Sequence, residues 1–568
     1  MDKKTAKKKI AIIGGGPSGL FMYKRLTEQA SADFEITIFE RKDYLGAGMP
    51  YSAEGANTEH ITNVSDNEIP AIYTSIEDWV KIAPKAILKK FDITEEKFNE
   101  YKVLPRLFFG EYLSAQFNLL KKAALKKGIK TKVHLNCRVE DVIDFPKENS
   151  VAVCVKNKNK AYFDQAVICI GHNWPKKYEG KIPDYFDSPY PPKKLALKLN
   201  HTVGIMGSSL TAIDALRTLA RKNGKFTDNE DGSYSYSSDS KGFKMVMHSR
   251  SGLLPAVRFH LQDSHLGKEE TLSKTEIHKS IARNGGFLPL DFVFEKNFKE
   301  IFIKKDPAFY EQIKNMDLEA FVGAMMGYRE GMEPFDLFKK EYEEAEKSIE
   351  KRKSIYWKEA LAILSFAMNY PAKYLSAEDM ERLQKVLMPL ISIVIAFVPQ
   401  SSCRELLALH EAGVLTIVAV GDDAKVQPLE TGGADYHYKI NGKKTVKHFD
   451  TFIDCIGQPH LSFNDFPFKS LIKNGTLSPA RLQFKSSEKG KAEMKNNDLV
   501  SREEDNTYFL TVPGITINDH FQVVDRNGIS NQRIYIMAVP YIGGYNPDYS
   551  GIDFCEAASK AVIDSILS

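Results

Sequence analysis

Gly14, Gly16 and Gly19 stand in G-x-G-x-x-G spacing, with Pro17 and Ser18 between the last two. Glycines so spaced suit one task, the holding of a pyrophosphate. The first permits a tight turn, the second lets phosphate approach the backbone, and the third lets a helix pack closely on a strand. The helix that follows then turns free N–H groups and its positive dipole end toward the phosphates. Such sites carry an acid about 20 residues further on, to accept from a ribose 2′-OH. Glu40 lies 21 residues after Gly19, with Arg41 beside it. Three elements must position these residues, and the sequence supplies each. Ile10 to Ile13 is an apolar run of buried-strand length, Leu20 to Gln29 reads as helix, and Glu35 to Phe39 reads as a second strand. Together they single out a dinucleotide site rather than an ordinary glycine-rich turn.

The pattern returns at Asn200. A strand, Thr202 to Met206, leads into Gly207-Ser208-Ser209-Leu210-Thr211-Ala212 and a helical stretch. Ser209 and Ala212 take the second and third glycine positions, and small residues there still admit a phosphate. The second strand of this copy is Phe243 to His248, ending in Ser249-Arg250. A further echo links AYFDQAVICIG, ending at Gly171, with KTVKHFDTFIDCIG, ending at Gly457. Both place an aromatic-Asp pair before an apolar strand and an Ile-Gly turn.

The remaining segments frame these copies. Arg41 to Pro70 is rich in Gly, Asn, Ser and Pro, and Gly46, Gly48, Tyr51 and Asn63 suit a loop lying over a bound dinucleotide. Ile76 to Lys90 reads as helical, and Pro105-Arg106 leads a long amphipathic helix. Strands with turns follow from Val133 to Val155, then a buried strand from Gln165 to Ile170. Asn223 to Gly242 is polar and Ser- and Asp-rich, so a flexible excursion is expected. Residues 260–400 read as a helical insertion, and its Glu/Lys spacing marks solvated helix faces. A helix, ELLALHEAG, and a strand, VLTIVAV, restore the alternation, and the chain closes with a strand, a Gly-rich turn and a helix.

Composition narrows the class. The chain has 568 residues, enough for two or three domains. Lys plus Arg is 78 against 74 Asp plus Glu, too balanced to imply a nucleic-acid partner. The basic start, MDKKTAKKK, lacks the apolar core of a signal peptide. The longest apolar run, Val386 to Pro399, is fourteen residues with two prolines; that is too short for a membrane span and suits a buried core segment. None of the six cysteines, at 137, 154, 169, 403, 455 and 555, forms a C-x-x-C pair. Cys154, Cys169 and Cys455 lie in apolar strand-like runs, as inert buried thiols do, and a reducing cytoplasm is expected. His60, His134, His172, His201, His248 and His260 are scattered, and no metal-ligand spacing stands out.

With IIGGGPSGL, GAGMPYS followed by HITNV, LPRLFFGEYL, AVICIGH, GIMGSSLTAIDAL, HSRSGLLP and IYIMAVPYIGG, the chain resembles the two-dinucleotide-binding flavoproteins, and within them the bacterial FAD/NAD(P)-binding proteins of the YdhS-like group. The resemblance implies an α/β protein of two Rossmann-like units, an FAD unit interrupted by an NAD(P) unit. The implied boundaries are 8–198 and 441–568 for FAD, and 199–440 for NAD(P), with the insertion at about 260–400. It assigns to FAD Gly14, Gly16, Pro17, Ser18, Gly19, Glu40, Arg41, Gly48, Tyr51, Asn63, Arg106, Val139, Gly171, Gly544, Gly551 and Ile552. Gly207, Ser208, Ser209 and Arg250 fall to the nicotinamide cofactor. No acid occurs between Lys241 and Gln262, and Arg250 can pair with a 2′-phosphate, so NADPH is expected over NADH. The expected activity is an FAD-dependent, NAD(P)H-using oxidoreductase, a monooxygenase acting on a small substrate with molecular oxygen, with N-hydroxylation among the chemistries the resemblance offers. The competing readings are a plain reductase or oxidase and a non-catalytic redox sensor. The chain departs from the wider superfamily in three ways. Ala538-Val539-Pro540 stands where a Gly-Asp pair often meets the ribityl chain. His172 and Trp174 follow Gly171 too closely for a Baeyer–Villiger fingerprint, and no redox C-x-x-C follows either motif.

Overall fold

Two parallel sheets carry the architecture, and they share the order of four strands. The computed structural model describes residues 7–29, 34–172, 174–262, 272–369, 371–458, 460–547 and 551–568. The first sheet runs Gln522–Val524, Ser530–Ile536, Gln165–Ile168, Lys8–Ile13, Phe34–Phe39, Lys130–His134, parallel except for its Gln522–Val524 edge. The second runs Tyr185–Phe186, Thr451–Asp454, Thr202–Met206, Lys244–Ser249, Leu415–Ala419, all parallel. The central strands are apolar throughout because both faces are covered, which removes the alternation of a half-exposed strand.

Each unit is built in the same sequence of steps. A strand, a glycine turn and a helix come first: Pro17–Glu28 in one unit, Leu210–Lys222 in the other. After the second strand a long excursion ends in a helix, Arg106–Lys126 or Gln400–Glu411, that returns to the fourth position. A three-stranded antiparallel meander follows, Val139–Phe163 or Lys425–Phe449, and then the closing strand. The helix Ile552–Leu567 lies along Pro17–Glu28, tied by Lys24 and Arg25 to Glu556 and by Ser18 Oγ to Cys555 Sγ at 3.4 Å.

The helical insertion occupies the excursion between the second and third strands of the second unit. Its helices divide their apolar faces between two cores. Leu288, Phe298 and Leu383 join the core of the first unit, whereas Phe335, Phe338 and Ala345 join that of the second. Each buried Leu or Phe of this set contributes about 1.5–3 kcal/mol, so the block mortises the two units together. Val386 to Pro399 is core, as its composition suggests, with a helix over Met388–Val394. Inside the block Arg329 meets Glu341 in a fork at 2.8 and 3.0 Å, and Lys358 adds a contact at 3.0 Å.

Three expectations need correction. Asn223 to Gly242 is no flexible excursion: Gly224–Asp228 and Tyr234–Ser238 form a hairpin. Its alternation hides among serines, but Tyr236 is buried and donates to the Ala220 carbonyl at 2.9 Å. The second unit does not end at 440, since Lys443–Phe449 completes its meander and Thr451–Asp454 its sheet. Nor does it begin at 199, because Tyr185–Phe186 is already its edge strand. Finally, Ile76 to Lys90 is two helices, Ile76–Ile82 and Lys85–Lys90, parted at Pro84.

Candidate functional site

A cavity of about 310 Å³ opens at the carboxyl ends of the first sheet's strands. Gly14 turns at φ +106°, where a Cβ would stand 2.5 Å from the Cys169 carbonyl oxygen. Only glycine fits that approach of turn to closing strand. A Cβ at Gly19 would lie 2.1 Å from the Gly14 carbonyl oxygen, so Gly19 serves helix packing and does not line the cavity. Gly16 is the N-cap of Pro17–Glu28, and no side chain caps that helix. Its first N–H groups are left for an anion.

Of the residues assigned to FAD from the sequence, the cavity gathers Gly14, Gly16, Pro17, Ser18, Glu40, Arg41, Gly48, Tyr51, Val139, Gly171, Gly551 and Ile552. Glu40 is already engaged. One carboxylate oxygen accepts from Gly15 N at 2.7 Å and the other from Lys42 N at 2.8 Å. Each oxygen keeps a second lone pair for a ribose hydroxyl. Tyr51 packs edge-on to Phe109 at 4.8 Å, and burial pushes its hydroxyl up to about 12. Pattern reading missed Cys137, His172, Phe468 and Tyr541, which also line the wall. Cys137 and His172 neighbour the assigned Val139 and Gly171 in the chain, whereas Phe468 and Tyr541 come from distant segments that no local spacing marks.

Asn63, Arg106 and Gly544 do not line this cavity. The Asn63 carbonyl accepts from Arg258, and Gly544 lies against Val512 and the Pro513 carbonyl. Arg106 joins the two units instead. It pairs with Asp214 in the first turns of Leu210–Lys222 and donates Nε to the Ile61 carbonyl at 3.0 Å. Tyr190 donates to Asp214 at 2.7 Å, and His60 Nε2 meets the Asp214 carbonyl at 3.1 Å. The Arg106 and His60 charges help hold the Asp214 carboxyl below its usual range, against the opposing effect of burial. Beside this latch, His172 after the first closing strand bonds Gln458 after the second.

The second glycine turn repeats the first. Gly207 has φ +113°, and its Cβ would lie 2.7 Å from the Cys455 carbonyl oxygen. Gly14 N donates to Phe39 O at 2.9 Å, as Gly207 N does to His248 O at 2.7 Å. Ser249 and Arg250 therefore take the places of Glu40 and Arg41. Ser208 Oγ donates to the Leu253 carbonyl at 2.8 Å, and Ser209 caps the helix without a side-chain bond. Arg250 is 70% exposed at the tip. No acid lies between Lys241 and Gln262, yet Asp422 comes within 3.8 Å from the loop after Leu415–Ala419. His248 packs among Tyr436, Tyr438 and Phe449, and burial lowers its pKa to about 4.

Cys137, Cys169 and Cys555 border the cavity as free, buried thiols. Burial pushes Cys169 well above the ordinary thiol range and Cys555 up to about 12. Among the described residues no group of three His, Cys, Asp or Glu could hold a metal ion, and no helix is long and apolar enough to cross a membrane.

Comparison with known proteins gives this geometry a context. Residues 11–173 match a family model described as FAD-NAD(P)-binding, and residues 273–395 match the YdhS-like middle domain. The YdhS protein of Escherichia coli (strain K12) is 31% identical over 481 residues, covering 82% of this chain and 86% of its own. Among solved structures, the chain is similar to the ornithine N-hydroxylase of Kutzneria sp. 744, at 11% identity and TM-score 0.44, with 99% of each chain covered. It is similar also to the cadaverine monooxygenase DfoA of Erwinia amylovora, at 10% identity and TM-score 0.48, covering 99% of this chain and 95% of the other. The bacillithiol disulfide reductase of Staphylococcus aureus matches at 11% identity and TM-score 0.42, with 99% of each covered.

Proposed function

The chain belongs to the YdhS-like family of FAD/NAD(P)-binding proteins, and from that premise we propose that it is an FAD-dependent, NADPH-using monooxygenase of a small substrate. The observation that carries the reading is the pair of matched glycine turns, each closed by its own strand and latched to the other through Arg106 and Asp214. FAD, when bound, would accept a hydride from the nicotinamide and pass the electrons onward. The first cavity suits it: an uncapped helix N-terminus for the pyrophosphate, Glu40 for a ribose, and the Ile552–Leu567 helix over the top. In the second unit Ser249 removes the acid that would repel a 2′-phosphate, and Arg250 offers a guanidinium to it.

The thiols favour a small acceptor over a dithiol. No two cysteines stand in a redox pair in the sequence, and burial makes Cys169 and Cys555 at the cavity resist forming thiolates. Electrons then leave to a diffusible molecule, and oxygen is the acceptor this reading names. The test is to load the purified protein with FAD and follow NADPH oxidation, oxygen uptake and peroxide release across a panel of small amines and acids. Oxygen uptake that a substrate stimulates, with little peroxide released, is the expected result. NADPH oxidation that requires an added electron acceptor would overturn oxygen insertion and leave a reductase.

A further inference from the structure

Between Asp454 and Gln522 the chain belongs to neither nucleotide sheet. It builds a small module there: strands Pro479–Gln483, Tyr508–Ile515 and Val500–Arg502, with short helices Lys469–Lys473 and Ser487–Glu493. One face of this sheet is core, with Leu482, Leu510 and Val500 buried. Register puts Arg481 opposite Thr511 on the other face, with Phe509 two residues along. That face, with Pro513 further along the same strand, lines a second cavity of about 940 Å³ that Phe463 also borders.

This cavity backs onto the first. Two stretches border both: 460–468 puts Phe463 on the second and Phe468 on the first, and 539–545 puts Tyr545 on the second and Tyr541 on the first. Leu461 N donates to Pro540 O at 3.0 Å and joins the two stretches. His460 stands in the wall so close to the 539–545 stretch that a Cβ at Gly543 would fall 1.8 Å from its Nδ1. Burial lowers His460 to about 4, so it meets the cavity uncharged at neutral pH.

The charges of the cavity are unequal in what they leave over. Arg481 stacks on Phe509 at 4.2 Å and is paired with Glu503. Asp525 holds its own turn through one carboxylate oxygen, which accepts from Asn527 N at 2.8 Å and Ile529 N at 2.9 Å, and it forms no ion pair with Arg526. Arg526 forms no ion pair among the described residues and sits at the rim. The apolar lining from Phe463, Leu499, Phe509 and Val524, with one guanidinium outside any ion pair, matches a molecule with an apolar body and a carboxylate, which a guanidinium binds in a two-pronged hydrogen bond.

We infer that this second cavity is the substrate site, and that it takes a small carboxylate with an aromatic or branched apolar body. The inference rests on the flavin reading above and adds a place and a chemical class to it. The experiment titrates the FAD-loaded protein with 3-phenylpropionate, 3-phenylpropanol and phenethylamine. Binding is read by ligand-observed NMR and by the flavin absorbance. The carboxylate should bind at least tenfold more tightly than the alcohol or the amine and should shift the flavin spectrum. Arg526→Ala, an exposed change, should erase the carboxylate's advantage, and Thr511→Trp should plug the cavity and weaken all three probes. FAD content and reduction by NADPH should stay at parental levels in both variants. Equal binding of the three probes, a carboxylate preference that survives Arg526→Ala, or binding without a flavin shift would each overturn the inference. A parent that holds FAD but is not reduced by NADPH would instead sink the flavin reading, with probe binding still there to be read.

Discussion

The two nucleotide units share the order of four strands, a glycine turn, a meander and a closing strand, yet they differ in how open they are. The first is shut. Its cavity is walled by Cys169, Val539 and the Ile552–Leu567 helix, and its acid, Glu40, is pinned to two backbone N–H groups. The second ends in Ser249 and a solvent-facing Arg250, and Ile456, which stands where Ile170 lines the first cavity, is 65% exposed. One scaffold thus offers a closed seat and an open one. The first suits a cofactor held more firmly, and the second one that comes and goes. The strand ends differ as well: Glu40 in the first unit is replaced by Ser249 in the second, while an arginine, Arg41 or Arg250, follows in both.

The most severe way to break the comparison is to place valine at matched positions. Gly16 has ordinary φ, so Gly16→Val strains no backbone, but its side chain would enter the pyrophosphate seat, 3.3 Å from Gly48 at the first atom. The purified variant should lose its flavin colour altogether. Ser209→Val, at the equivalent turn, should keep full FAD and lose reduction by NADPH. Retention of FAD by the first variant, or its loss from the second, would show that the seats are assigned wrongly.

A middling effect is expected where the closing strands differ. Ile168 pairs with Ile13 in the first unit, while Asp454 pairs with Met206 in the second. Burial, with a smaller push from Asp187, raises the Asp454 carboxyl from 3.8 to about 6. The folded state therefore holds this proton more tightly than the unfolded chain. Asp454 then costs stability as pH rises from about 4 to about 6, and the cost is complete above that. About two pKa units correspond to ~3 kcal/mol. Asp454→Asn should raise Tm at pH 7.5 and leave it nearly unchanged at pH 4, as thermal melts at the two pH values would reveal. An equal shift at both would place the carboxylate's cost elsewhere.

The smallest effect belongs to Arg250. A charged hydrogen bond to phosphate is worth roughly 1.5–3 kcal/mol, so Arg250→Ala should weaken NADPH about tenfold or more and leave NADH unmoved. Flavin reduction rates with the two cofactors decide it. Asp422→Ala, which takes away the competing carboxylate, should act in the opposite direction.

Much of this was legible in the chain. Gly14-x-Gly16-x-x-Gly19, its weaker copy at Gly207 and the twin strand-to-Ile-Gly runs carry the two-unit plan, because tight turns and buried parallel strands leave local marks. The unit boundaries were not legible. The twin runs are each a meander strand followed by a closing strand, so a repeat noticed as sequence was cut at 440, ahead of the sheet it completes. Arg106 reads as a cofactor ligand because it opens a helix beside the loop that covers the site; its partner Asp214 lies 108 residues on, and no local pattern pairs them. Asp422 escapes for the same reason, since only strand order carries it to Arg250.

The packing of Ile552–Leu567 on Pro17–Glu28 has a consequence for synthesis. Ser18 and Cys555 meet across 537 residues, and the first sheet also waits for Ser530–Ile536. Every strand of the second sheet, by contrast, has been made once Asp454 leaves the ribosome. Domains that fold during translation do so as their segments emerge, so the interior unit can take shape while the outer one still lacks a strand and its covering helix. The closed seat is finished last, which makes its filling a late event that only a chain translated nearly to its end can reach.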